Sequence, residues 1–181
     1  MEILVLADFE RFSWDGEVQD ADLLLSCGDV PEQVILKAAE DTGCQNVFAV
    51  KGNHDRSADF SDPITDVHMS VEDFGGVKIG GFNGCMRYKP RGHFLYEELE
   101  VEQLMRALPA VDIFLAHNSP RGIHDREDGV HEGFAAFNNY IEQHEPSLFI
   151  HGHQHISTET QVGDTRVIAV YGHQFLEWAT R

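Results

Sequence analysis

The sequence predicts an α/β fold in which two β-sheets face each other. Short apolar runs rich in β-formers recur along the chain, helical patterns separate several of them, and glycine-containing turns join others into hairpins. Strand–helix alternation comes first, with hairpins in the middle and at the end, an order typical of an α/β core with two facing sheets. Because the 181 residues contain no repeat and no low-complexity segment, we expect one domain over residues 1–181.

The individual elements follow from local patterns. Five central strands are expected over short β-rich runs, at residues 3–6, 23–25, 46–50, 113–116 and 148–150. Three helices are expected, at residues 32–40, 99–108 and 133–144. Pro31 suits the start of the first helix, and Phe134, Phe137 and Ile141 recur at helical spacing in the third. Two hairpins with glycine-containing turns are expected, at residues 67–74 with 77–82 and at residues 156–162 with 165–171.

Composition limits the classes of partner. The chain has 31 acidic and 13 basic residues, which gives a formal charge of −18. This charge repels nucleic acid, so we do not expect an extended nucleic-acid substrate. No apolar run is long enough to span a membrane, and the first residues predict a strand rather than a basic leader. The three cysteines form no Cys-x-x-Cys pair, so we expect a cytoplasmic protein without disulfides or a thiolate zinc site.

Polar residues that can bind metals follow five predicted strands, at the point where each strand ends. They are Asp8 with Glu10, Asp29, Asn53 with His54, His117, and His153 with His155. In open α/β sheets, ligands bind beyond the carboxyl ends of the strands, so we expect these side chains to converge. Oxygen and nitrogen donors without a thiolate favour manganese, iron, magnesium or zinc. Two such cations ~4 Å apart need a bridging carboxylate and together support phosphoryl transfer.

These residues resemble the motifs of the calcineurin-like metallophosphoesterase family. The ordered blocks are Asp8, Gly28-Asp29, Gly52-Asn53-His54-Asp55, His117 and Gly152-His153-Gln154-His155. The resemblance implies a four-layer αββα sandwich of two mixed sheets flanked by helices, with a dinuclear metal centre at one edge. It implies one metal held by Asp8, Asp29 and His155, and a second held by Asp29, Asn53, His117 and His153. It further implies that His54 faces the substrate and protonates the leaving oxygen or stabilises its charge.

One position departs from the family pattern. The first block of the family is usually Asp-x-His, whereas this chain has Asp8-Phe9-Glu10. Glu10 as a metal ligand would add negative charge and favour a harder cation such as manganese or magnesium. The alternative is that Glu10 faces solvent and leaves one metal loosely held. Both alternatives stay open at this stage.

Several residues near the motifs are candidates for substrate binding or support. Arg87 and Tyr88 follow a hairpin strand and resemble a loop that lines the active-site rim in small bacterial family members, so Arg87 is a candidate phosphate contact and Tyr88 a stacking residue. Arg87 can equally pair with a carboxylate of this acidic chain, and Arg121, shortly after His117, is a second candidate anion contact. His151 is expected to support the site by hydrogen bonding rather than to bind metal.

The function implied by the resemblance is a metal-dependent phosphoesterase, specifically a phosphodiesterase acting on a small phosphate ester by in-line attack of a metal-bound hydroxide. Two divalent ions are expected, Mn²⁺ first, with Fe, Mg²⁺, Zn²⁺ and Ni²⁺ as alternatives. Other interpretations are a nucleotide pyrophosphatase or nuclease using the same site, and a catalytically weak metal-bearing binding module, against which the presence of His54 argues. A homodimer through the exposed hairpin edge is compatible with the sequence, and no membrane partner is expected.

Overall fold

The computed structural model describes residues 1–9, 13–16 and 19–179, which form thirteen strands and three helices. The strands are β1 (Glu2–Ala7), β2 (Leu23–Cys27), β3 (Val47–Val50), β4 (Ile64–Asp66), β5 (Val71–Phe74), β6 (Val77–Phe82), β7 (Cys85–Met86), β8 (Leu95–Tyr96), β9 (Ile113–Ala116), β10 (Leu148–His151), β11 (Thr158–Val162), β12 (Thr165–Ala169) and β13 (Gly172–Glu177). The helices are α1 (Glu32–Asp41), α2 (Glu98–Met105) and α3 (Ala135–His144).

Two large mixed sheets carry the fold. The five-stranded sheet has the order β13-β1-β2-β3-β4, in which only β13 runs antiparallel to its neighbour. The six-stranded sheet has the order β11-β12-β10-β9-β6-β5, with a parallel centre and an antiparallel strand at each edge. The parallel strands of both sheets therefore end on the same side of the sandwich, where the loops that follow them meet.

Alternation of side chains along the strands explains the layers. Ile3 and Val5 of β1 belong to the core between the two sheets, whereas Leu4 and Leu6 face the other way and pack with α1. A third apolar cluster covers the outer face of the six-stranded sheet with α2 and α3. The order of layers is thus helix, sheet, sheet, helices, and the predicted four-layer αββα sandwich of two mixed sheets is confirmed.

Glu98 links the two helices that cover the six-stranded sheet. Its carboxylate oxygens accept hydrogen bonds from the backbone N–H groups of Ala135 and Ala136, at 3.1 and 2.9 Å. These N–H groups begin α3 and have no acceptor within the helix, so an anionic acceptor stabilises this end. Within α2, Glu97 and Glu100 form a reciprocal capping box.

The element predictions hold with shifts at the boundaries. All five central strands and all three helices form, but the first hairpin starts at Val71 rather than at residue 67. The run expected as one strand over residues 165–171 is interrupted: β12 ends at Ala169, and Gly172, with a φ of 77°, starts β13 in the other sheet. Strands β4, β7, β8 and β13 were not predicted. No helix in the described ranges combines the length and apolarity needed to cross a membrane.

Candidate metal centre

The carboxyl ends of strands from both sheets bring the candidate ligands to one edge of the sandwich. Asp8 directly follows β1 and Asp29 follows β2, both in the five-stranded sheet, and His117 directly follows β9 of the six-stranded sheet. One oxygen of each aspartate and one ring nitrogen of His117 lie within 4.8 Å of one another. The structure therefore brings together residues that are far apart in the sequence into a group able to hold a cation.

Left-handed backbone at four candidate ligands aims their side chains into the centre. Asp8, Asp29, His153 and His155 have φ angles of 49°, 54°, 66° and 52°. A positive φ is sterically unfavourable for residues other than glycine and persists only where surrounding contacts enforce it. Its repetition at four residues that follow three strands, β1, β2 and β10, indicates that the fold supports an unfavourable local conformation to place these side chains.

Two glycines let the loops approach each other closely. A Cβ atom on Gly52 would collide with the carboxylate of Asp29. A Cβ atom on Gly152 would lie 2.6 Å from Asp8 Oδ2 and 2.9 Å from the Ala7 side chain. Only glycine leaves room at these positions, which accounts for the glycines in the corresponding motif blocks.

His117 is oriented by a backbone carbonyl. Its Nδ1 donates to the Cys27 carbonyl oxygen at 2.9 Å, which places the other ring nitrogen, Nε2, towards the centre. Nε2 lies 3.0 Å from Asn53 Oδ1 and 3.3 Å from Asp29 Oδ2. Two acceptor oxygens around one ring nitrogen need a cation or a proton between them, because lone pairs facing one another repel.

The charges of the aspartates determine the protonation of this group. Burial alone would lower the pKa of His117, but the negative charges of Asp29 and Asp8 outweigh it and raise the pKa to about 9. Burial alone would raise the pKa of Asp29, yet the charge of His117 and its hydrogen bond lower it to about 2. In the metal-free protein the pair is therefore an imidazolium and a carboxylate at neutral pH.

A buried oxygen without a partner shows that the donor set suits a metal. Asp8 Oδ2 accepts a hydrogen bond from the backbone N–H of His153 at 2.6 Å, whereas Oδ1 is buried and has no hydrogen-bond partner among the described residues. An unpaired buried carboxylate oxygen is costly and is usually explained by a bound ion. His155 Nε2 lies 3.6 Å from this oxygen, so the two atoms can share one cation.

The two histidines that follow β10 differ in their surroundings. His153 is buried, its Nε2 donates to the Val130 carbonyl oxygen at 3.1 Å, and its ring centroid is 4.9 Å from that of His117. Burial, with the charge of His117, lowers the pKa of His153 to about 3. The imidazole of His153 is therefore neutral at neutral pH, which is the form that binds metals. His155 has a half-exposed side chain that stacks on Tyr171 at 5.1 Å between ring centroids.

His54 lies on the exposed side of the centre. Its backbone N–H donates to Asp29 Oδ1 at 2.8 Å, and its side chain lines a cavity of about 760 Å³ together with Asp29. The backbone bond fixes the loop that carries His54 relative to the central aspartate. A phosphate ester bound at the centre has room for its leaving group on this side.

The three predicted substrate-binding residues take different positions. Tyr88 reaches the centre, since its hydroxyl accepts a hydrogen bond from Asn53 Nδ2 at 3.2 Å. Arg87 instead pairs with Glu97 at 2.9 Å and donates to the Leu95 carbonyl at 2.6 Å. Arg121 lies 3.5 Å from Glu98 and donates to the Gly133 carbonyl. The structure places both guanidinium groups against neighbouring protein groups, so their contact with substrate stays a prediction.

Glu10, the residue that departs from the family pattern, lies outside the described residues. His151 is fully buried, and its ring contacts the Gly152 carbonyl oxygen and His124 Nδ1, at 2.9 and 3.0 Å. It therefore takes a hydrogen-bonding position next to the loop that carries His153, outside the group formed by the aspartates and His117.

The comparisons with known proteins agree with this geometry. The family model for the calcineurin-like phosphoesterase superfamily domain matches residues 1–171. The chain belongs to this superfamily. Comparison with curated proteins gives no match. The superfamily is metal-dependent, and the group of Asp8, Asp29 and His117 is the corresponding candidate metal site in this member.

Solved structures share the fold at low sequence identity. Protein TT1561 of Thermus thermophilus is 16% identical with a TM-score of 0.62, covering 94% of this chain and 89% of that one. The phosphopantetheinyl hydrolase PptH from Mycobacterium tuberculosis is 12% identical with a TM-score of 0.59 and the same coverage, 94% and 89%. Vps29 from Entamoeba histolytica, complexed with zinc, is 17% identical with a TM-score of 0.51, covering 95% and 74%.

Groups that support this superfamily member's centre include several that the motif spacing did not single out. The backbone carbonyls of Cys27 and Val130 orient His117 and His153. Every residue has a backbone carbonyl, so the residue type gives no sign of this role. Asp55 Oδ2 accepts hydrogen bonds from the backbone N–H groups of Asp29 and Gly52, at 2.9 and 2.7 Å. It thereby links the loop that follows β2 to the loop that follows β3. The Asp that closes the Gly-Asn-His-Asp block was the available signal for this last role.

Proposed function

We propose that the protein is a phosphodiesterase that uses two divalent ions to hydrolyse a small phosphate ester. One observation carries the proposal: Asp8, Asp29 and His117 converge within 4.8 Å, and the buried Asp8 Oδ1 accepts no hydrogen bond from any described residue. The group contains two carboxylates and only one imidazole, so a single imidazolium leaves its negative charge incompletely compensated, which is costly for buried groups. Metal ions are the cations that oxygen and nitrogen donors in this arrangement bind.

Two ions are proposed because donors lie on both sides of Asp29. On one side are Asn53, His117 and His153, and on the other are Asp8 and His155. Asp29 stands within reach of both groups, as the bridging ligand of a dinuclear centre must. When bound, the ions supply the Lewis acidity that activates a water molecule and neutralises the phosphate oxygens. The donor set contains no thiolate, which favours manganese, with Fe, Mg²⁺, Zn²⁺ and Ni²⁺ as alternatives.

His54 is proposed to act on the leaving group. Its side chain is exposed at the cavity, while its backbone is bound to Asp29, so its position relative to the phosphorus is fixed. In the reaction, the water oxygen would form a bond to phosphorus and release a proton to solvent, while the bond from phosphorus to the leaving oxygen breaks. A ring N–H of His54 would deliver a proton to that leaving oxygen. A positioned acid is most useful when the leaving oxygen is strongly basic.

Hydrolysis of bis-p-nitrophenyl phosphate tests the proposal. Protein treated with a chelator and then supplied with Mn²⁺ should release p-nitrophenol, and the chelated protein should not. Asp29→Asn should lose both turnover and manganese binding, since it removes the charge shared by the two ions. Asp41→Asn, in an exposed ion pair with Lys37, is the matched control and should behave as the wild type. Manganese binding without turnover on a panel of phosphate diesters would contradict the proposal.

A further inference from the structure

Lys51, directly after β3, is a largely buried lysine whose ammonium group has no acceptor among the described residues. The residue is 6% exposed, and its Nζ makes no hydrogen bond or ion pair with any described residue, although the chain contains 31 acidic residues. Its backbone N–H donates to Asn83 Oδ1 at 2.7 Å, which fixes the start of the side chain. A buried cation without an acceptor is unfavourable, so its retention needs an explanation.

The ammonium faces the cavity next to His54. Its one close side-chain contact is the ring of Phe60, 3.7 Å from Nζ to the ring centroid. Lys51 and Phe60 line the cavity of about 760 Å³ that also contains His54, with Phe9 and Leu36 adding apolar surface. A cation on an aromatic face retains capacity to donate hydrogen bonds on its other sides. Those donors are available to a molecule in the cavity.

The carboxylates around the cavity have other contacts. Asp29 faces His117, Asp55 accepts the two backbone N–H groups described above, and Glu32 accepts the backbone N–H of Ser61 at 3.1 Å. Asp59 is exposed on the rim, as is the cationic Arg56. Lys51 is therefore a largely buried cation that lines the cavity, while the carboxylates beside it already have partners.

We propose that this cavity binds the leaving group of the substrate, and that the leaving group has an apolar or aromatic body carrying a second negative charge, which pairs with Lys51. The inference rests on the proposed function, because it assigns the part of the ester that lies beyond His54. Phe9, Leu36 and Phe60 bury the body of the group, and Lys51 selects the anion. The substrate class is thus a phosphodiester whose leaving alcohol or phenol is itself anionic.

Binding of two product analogues tests the charge without catalysis. The manganese-loaded wild type should bind 4-hydroxybenzoate about tenfold more tightly than 4-hydroxybenzamide in calorimetry, because only the former offers a charged acceptor of the same shape. Lys51→Met retains the packing on Phe60 and should abolish the preference, whereas Lys51→Arg should retain it. Lys37→Met, which removes an exposed lysine of α1, is the control and should keep the preference.

Equal binding of the two analogues by the wild type would overturn the proposal without any variant. A preference that survives in Lys51→Met would overturn it too, since the carboxylate would then bind elsewhere, for instance at the metals. If Lys51→Met has a lowered melting temperature, Lys51→Gln also removes the charge and should lose the preference, and a preference that survives in it would overturn the proposal.

A matched pair of substrates separates this inference from the proposed function. Methyl 4-carboxyphenyl phosphate and methyl 4-carbamoylphenyl phosphate differ by one charge on the leaving group. Lys51→Met should raise KM about tenfold for the carboxylate only, with kcat little changed. Failure to hydrolyse either ester, with the binding preference intact, contradicts the proposed function but not the Lys51 site. Hydrolysis of both with equal KM in the wild type contradicts the Lys51 site alone.

Discussion

The two sides of the proposed metal centre differ in how firmly the fold holds their candidate ligands. On the side of Asn53, His117 and His153, each residue is at least nine-tenths buried and has an identified partner that orients it. On the side of Asp8 and His155, Asp8 Oδ1 is unpaired, and the His155 side chain is 50% exposed at 3.6 Å from it. We call these the buried half-site and the exposed half-site.

The fold therefore orients the candidate ligands of the buried half-site better than those of the exposed half-site. Partners that fix a ligand's tautomer and ring orientation raise metal affinity, and the buried half-site has them in the carbonyls of Cys27 and Val130. The exposed half-site depends on Asp8, His155 and the residue at position 10, where the family has histidine and this chain has Glu10. We therefore expect one tightly held ion and one that exchanges readily.

Replacing one histidine in each half-site tests the difference between the half-sites most directly. His117→Gln should lower kcat about a thousandfold even in excess Mn²⁺, because an ion worth several kcal/mol of transition-state stabilisation is lost. His155→Gln should lower activity about tenfold, because the ion that it binds is already weakly held. Its activity should recover as the Mn²⁺ concentration is raised. Activity titrated against free Mn²⁺ gives both results. His144→Gln, packed on Tyr140, is the control, and equal losses in the first two variants would contradict the asymmetry.

His54 sharpens the comparison because it belongs to neither half-site. His54→Gln should bind two ions like the wild type and still lose about a hundredfold in kcat on diesters with alkyl leaving groups, which need a proton. With p-nitrophenyl esters the loss should be much smaller. The slope of log kcat against the pKa of the leaving group measures this effect and should steepen in the variant. An equal loss on every leaving group would argue against proton donation by His54.

The pH dependence of stability in the metal-free protein is the smallest expected effect. The pKa of His117 is raised from 6.5 to about 9, so its interaction with Asp29 stabilises the fold fully below pH 6.5 and is lost as pH rises through 9. The melting temperature of chelated protein should therefore fall between pH 6.5 and 9. Asp29→Asn removes the charge that does most to raise this pKa and should show a smaller fall. Parallel profiles would contradict the coupling.

The sequence predicted which of these residues converge better than it predicted the groups that surround them. Asp8, Asp29 and His117 are recognisable because each follows a β-rich run, and parallel strands end at a common edge. The orienting carbonyls are backbone groups and carry no residue-type signal. Arg87 and Arg121 illustrate another limit: in a chain with 31 acidic residues, only the fold shows that Glu97 and Glu98 are the ones nearby.

The central strands were predictable from the sequence, whereas some strands at the edges of the sheets were not. Central strands stand out because they are buried on both faces, whereas β13 was not predicted, since Phe175 and Leu176 are its only apolar side chains. Gly172, where the chain changes sheets, is one of sixteen glycines and is not distinctive by composition. Lys51 follows a strand like the ligands, yet a lysine at a strand end looks like an ordinary surface residue until its burial is known.

Anomalous diffraction from crystals grown with Mn²⁺ tests the central claim most directly. The account predicts two manganese peaks about 4 Å apart on either side of Asp29, with higher occupancy at Asn53, His117 and His153 than at Asp8 and His155. A single peak away from Asp29, or no peak between the aspartates and His117, would contradict it.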